Sequence, residues 1–109
     1  MSHLHLNGEK QFIARKIKWH EATLVNICDE ELLGTTVGNG ELEMPISRDY
    51  YGADKVSESE AINLVKDSSI INLAGTRIVQ KVLEAELASP RAVKTVGNVS
   101  FLMIYKFSN

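Results

Sequence analysis

Apolar and polar positions divide the chain into strands, then helices, then strands again. Phe12 to Trp19 puts Ile13, Ile17 and Trp19 on one face, interrupted by Arg15, with Lys16 and Lys18 on the other. Thr23 to Cys28 is rich in Leu, Val and Ile and reads as a more buried strand. The link His20-Glu21-Ala22 is too short for a parallel crossover, so the two segments pair as a hairpin. Gly38-Asn39-Gly40 signals a turn. Glu41 to Ile46 alternates Leu42, Met44 and Ile46 against Glu41 and Glu43, a half-exposed strand that Pro45 places at an edge or an end. Ser47 to Val56 reads as a polar loop.

The period then changes. Ser57-Glu58-Ser59-Glu60 is a capping box, and it predicts a helix running to about Asp67 with Ala61, Ile62 and Val65 on its apolar side. A second helix is expected from Ile70 to about Leu87, capped by Ser68 or Ser69. Its apolar stripe is Ile71, Ala74, Ile78, Val82 and Ala85, and Asn72, Thr76, Gln80 and Glu84 lie opposite. Ser89-Pro90 reads as the cap and first position of a very short turn. Val93 to Val96 is a short strand, Gly97-Asn98 a turn, and Val99 to Phe107 a last strand whose centre is apolar on both sides, as in mid-sheet. The order predicts an α+β fold, a mostly antiparallel sheet with two helices packed on one face, in a single domain over residues 1–109 whose first ten are a frayed start.

Composition narrows the class. The chain has 109 residues, 44% hydrophobic and 24% charged, enough to bury a core without a disulfide or a structural metal. Its one cysteine, Cys28, lies in an apolar run, reads as an inert buried thiol and fits a reducing cytoplasm. No apolar run reaches the roughly 20 residues of a membrane span, and Met1 to Lys10 lacks a signal-peptide core, so a cytoplasmic protein is expected. A formal net charge of −2 does not support direct nucleic-acid binding. The charge is uneven. Of the 14 acidic residues, nine fall within residues 28–60, against only Arg48 and Lys55 there, which predicts an acidic face and a milder basic one.

The densest local cluster is Cys28-Asp29-Glu30-Glu31-Leu32-Leu33-Gly34. Asp29, Glu30 and Glu31 are acidic neighbours of a kind that divalent cations favour, but adjacent residues rarely converge into a cage. A structural reading has Asp29 as a helix N-cap, with Glu30 and Glu31 favoured in the first turn by the helix dipole. Tyr50 and Tyr51 form an amphipathic pair on a loop, suited to binding. Asn72 and Gly75 stand out in the expected second helix. A helical glycine costs about 1 kcal/mol relative to alanine, so a close approach at Gly75, by packing or by a ligand, is expected. His3 and His5 read as incidental, and His20 as an exposed turn residue. There is no nucleophile–histidine pattern, no phosphate loop and no zinc spacing, so no cofactor or metal is implied.

Taken together, Cys28-Asp29-Glu30-Glu31-Leu32-Leu33-Gly34, Tyr50-Tyr51-Gly52 and Ile71-Asn72-Leu73-Ala74-Gly75 with Val79 resemble the archaeal domain-of-unknown-function family numbered 424, from the first strand to about Gly97. Ala74 stands where that family usually has Val. The Pro-His pair that commonly follows its C-terminal glycine is replaced here by Asn98-Val99-Ser100-Phe101. The resemblance implies a small archaeal cytoplasmic protein and brings no activity with it. The expected function is a non-catalytic binding or adaptor module. Its acidic, tyrosine-bearing surface (Asp29, Glu30, Glu31, Tyr50, Tyr51, Asn72 and Gly75, gathered at one end of the sheet) would meet a protein or ribonucleoprotein. The alternatives are a carboxylate-dependent or metal-assisted, hydrolase-like enzyme, and RNA recognition through Arg15, Lys16 and Lys18.

Overall fold

A computed structural model describes residues 10–106; His3, His5, the expected frayed start before Lys10 and Phe107 lie outside them. In chain order the elements are β1 (Lys10–Trp19), β2 (Ala22–Asp29), a 3-10 turn (Glu30–Leu32), β3 (Thr36–Gly38), β4 (Glu43–Pro45) and α1 (Arg48–Tyr51). There follow β5 (Asp54–Ser57), α2 (Glu58–Asp67), β6 (Ile70–Ala74), α3 (Thr76–Glu84), a 3-10 turn (Pro90–Ala92), β7 (Lys94–Val96) and β8 (Val99–Tyr105). Six strands form one sheet in the order β5-β1-β2-β6-β8-β7, and β3 and β4 pair separately. Every neighbouring pair in the large sheet is antiparallel except β2 and β6. The architecture is α+β with its two main helices on one face.

Local chemistry explains the boundaries. The Ser57 hydroxyl accepts from the Glu60 amide at 3.2 Å, while the Glu60 carboxylate accepts from the Ser57 amide at 2.7 Å, so α2 starts where the capping box requires. The Ser89 hydroxyl accepts from the Arg91 amide and opens the turn that Pro90 begins. Gly97 and Asn98 both have positive φ, 55° and 69°, the signature of a type I′ hairpin between β7 and β8.

Alternation then sorts the core. Phe12, Ala14, Val25, Ile27, Ile71 and Leu73 face the helices, where they meet Ala61 and Val65 of α2 and Ile78, Val79 and Val82 of α3. The opposite face is covered at one end only. There Ile13, Cys28 and Ala74 pack beneath Val37, Ile46 and Tyr51, carried by the β3–β4 hairpin, its flank and α1. Beyond this second cluster the same face presents half-buried Ile17, Leu24 and Ile70, with Trp19, Met103 and Tyr105 exposed.

Four expectations are corrected. Residues 70–74 are a buried strand and not the start of a helix: Ile-Ile-Asn-Leu-Ala fits either period over so short a run, and pairing with both β2 and β8 decides for the strand. Ser68 therefore does not cap a following helix; it ends α2. The stretch 47–56 is not a plain loop, since it holds α1 and most of β5, and β8 lies second from the sheet edge.

Candidate functional site

β2 and β6 run in parallel, so their C-terminal ends lie side by side, and α3 starts from β6 through Gly75. Asp29, buried at 3% exposure, aims its carboxylate at that helix start: Oδ2 accepts from the Arg77 amide at 3.0 Å and Oδ1 from the Ile78 amide at 2.9 Å. It thereby satisfies two of the amides a helix start leaves unpaired and places negative charge at the positive end of the helix dipole. Burial raises the carboxyl above its usual range, and those two hydrogen bonds pull it partly back. Gly75 adopts φ +131°, and a Cβ built on it would stand 2.5 Å from Asp29 Oδ2. The close approach expected at Gly75 is that of the Asp29 side chain.

The other two acids are also engaged. Glu31 takes a forked pair from Arg77, with Nη2 at 2.6 Å and Nε at 2.9 Å, and this hydrogen bonding lowers its pKa. The same guanidinium donates to the side chain and the carbonyl of Gln11 and lies 4.9 Å above the Phe12 ring. Glu30 pairs with Lys55 at 3.0 Å. The acidic triplet thus ties β2 to β1, β5 and α3. Among the described residues, no three of His, Cys, Asp and Glu converge in a way that would hold a metal ion.

A different set gathers on the opposite face of the sheet. Asn26 and Asn72 are directly opposed on β2 and β6. Asn72 donates to Asn26 Oδ1 at 2.9 Å, and Asn26 donates to the Tyr50 carbonyl at 2.9 Å, which anchors α1 over the sheet. Tyr51 is buried in the second cluster, where desolvation raises its phenol, and its ring meets that of Tyr50 edge-on at 4.8 Å. Tyr50 is 46% exposed. Between β4 and α1 on one side and β8 and β7 on the other lies a groove of about 900 Å³. Met44, Ile46, Tyr50, Phe101 and Met103 give it apolar walls, Asn72 contributes its amide, and Lys94 stands at the β7 side. Among the described residues, Asn72 Oδ1 and the Lys94 ammonium have no partner.

The seven residues singled out in the sequence therefore divide. Asp29, Glu30, Glu31 and Gly75 assemble around Arg77 at the start of α3, and Tyr50, Tyr51 and Asn72 assemble at the groove. The groove lining does not include the triplet, and Asp29 points to the helix face whereas the asparagine pair occupies the other. Sequence reasoning missed three participants. Arg77 carried no local signal, because its partners are 46 and 66 residues away. Asn26 did carry one, a polar residue inside an otherwise apolar strand. Met103 looked buried because the centre of β8 is apolar on both sides, yet it is 51% exposed.

Residues 18–107 match the profile of a family described as a protein of unknown function, DUF424. The chain belongs to that family. Among solved structures it is similar to a crystal structure of an uncharacterized conserved protein from the archaeon Methanopyrus kandleri, with a TM-score of 0.72 and 20% sequence identity over 91% of this chain and 94% of that one. That likeness shows a common fold. Curated proteins include none that matches the chain. Among the described residues no helix is long and apolar enough to cross a membrane.

Proposed function

We propose that this DUF424 protein is a non-catalytic binding module for a protein or ribonucleoprotein partner, working in the cytoplasm. Its contact surface is the tyrosine-bearing groove between β4 and β8. The observation that carries the reading is this groove itself: an apolar cleft of about 900 Å³ whose rim exposes Leu42, Tyr50 and Met103. Exposed apolar area on a small protein marks contact sites, and Tyr and Met are enriched at interface centres. The acidic turn supports the reading indirectly. Its three carboxylates already have partners within the chain, which leaves them little capacity for acid–base or cation chemistry.

The test is capture by the tagged protein at moderate salt, compared across variants. Leu42→Glu with Met103→Glu is expected to abolish retention of a specific partner, while Glu30→Lys leaves it largely intact. Retention unchanged by the groove double variant would reject the groove, and turnover of a substrate that disappears in Asp29→Asn would favour the carboxylate-dependent alternative.

A further inference from the structure

The ten-residue strand β1 is longer than the strand that flanks it. β5 pairs with β1 only as far as Asp54, opposite Ala14, whereas β2 continues along it to Trp19. The turn joining β1 to β2 has two residues, so Trp19 and Ala22 form the hydrogen-bonded pair that closes the hairpin, and hydrogen-bonded pairs then recur at Ile17 and Arg15. By the same alternation, the N–H and C=O groups of Lys16 and Lys18 point away from β2. Among the described residues no backbone group pairs with them. An open β edge is a template for another strand.

The side chains along this edge specify what would fit. Ile17 and Trp19 lie on the open face, with Trp19 67% exposed. Lys16 and Lys18 lie on the opposite face, both exposed, and among the described residues neither meets a carboxylate. An incoming strand would therefore present apolar side chains to Ile17 and Trp19 and, at the alternate positions, acidic ones to Lys16 and Lys18. A second copy of this chain is a poor occupant, because antiparallel pairing of two such edges sets lysine against lysine.

We propose that residues Lys16–Trp19 form a docking edge for an extended segment of a partner protein in which acidic and apolar residues alternate. The segment adds as a strand beside β1. This builds on the reading of the protein as a protein-binding module but uses the part of β1 beyond its pairing with β5, none of whose residues lines the groove, so each can fail without the other.

The probe is a capped heptapeptide alternating glutamate and valine, titrated into the whole protein. Trp19 is the chain's single tryptophan and reports directly. Binding is expected to shift its emission to the blue and to slow amide exchange at Lys16 and Lys18. Lys18→Pro removes an outward N–H without removing a bond to β2, and it is expected to abolish the response while circular dichroism stays unchanged. Lys16→Glu with Lys18→Glu is expected to weaken binding about tenfold and to transfer preference to a lysine–valine peptide. Leu42→Glu with Met103→Glu is expected to leave peptide binding intact. The proposal is overturned if the glutamate–valine peptide gives no response at millimolar concentration, or if lysine–valine binds the unaltered protein equally well. It is also overturned if an oligouridylate binds this edge with a steep dependence on salt while the peptide does not.

Discussion

The carboxylate of Asp29 occupies the space that a β-carbon on Gly75 would need, and from there it holds the first amides of α3. One residue ends β2 and the other follows β6, 46 positions later. Their contact explains both the glycine and the buried acid without recourse to a ligand.

Two substitutions test this relationship. Asp29→Ala strands two amides and removes a buried cap, and it is expected to cost about 2 kcal/mol. Gly75→Ala meets both the positive φ and the carboxylate and is expected to cost at least about as much. Because the double variant removes the clash, its loss should be smaller than the sum of the two single losses. Urea unfolding at constant m-value measures all three, and strict additivity would refute the steric account.

Acid stability follows from Glu31 and Asp29 with opposite signs. Arg77 lowers the folded pKa of Glu31 from 4.5, so the stability it contributes is present above pH 4.5 and is lost as pH falls through the lowered value. Burial raises Asp29 above 3.8, so that group costs stability as pH climbs from 3.8 through its raised value. Replacing Glu31 by Gln should therefore flatten the loss of stability below pH 4.5, which a series of urea titrations across pH would reveal.

Ser57 and Ser68 lie at the two ends of α2 and should behave oppositely. Ser57→Ala breaks the capping box and is expected to cost about 1 kcal/mol. The Ser68 hydroxyl is buried with no partner among the described residues, so Ser68→Ala should be neutral or slightly stabilising. Thermal melting of the two variants separates these outcomes.

Cys28 should be silent to thiol reagents in the native protein. It is fully buried, and desolvation, with the charges of Asp29 and Glu31, pushes its thiol up to about 12. Reaction with a chromogenic disulfide at pH 8 is expected only after denaturation; a prompt stoichiometric reaction would show that the second core cluster opens readily.

The fold class and most of the periodic elements were readable from residues near each other in the chain. The capping box at Ser57, the turn at Gly97-Asn98, the hairpin through His20-Glu21 and the amphipathic character of both helices all rest on interactions within a few positions, where residue type and spacing determine the energy. Ile70–Ala74 was not readable this way. Five residues that satisfy both a helical and a strand pattern are assigned by the strands on either side of them. The roles of the acidic triplet and of Arg77 were equally out of reach, because each depends on groups 25 to 66 positions away that the pairing of β1 with β2 and β5, and of β2 with β6, brings together. The sequence determined what each segment prefers on its own; the tertiary structure decided which charges find partners and which apolar side chains stay uncovered, since burial and long-range contact are properties of the folded sheet and not of any local window.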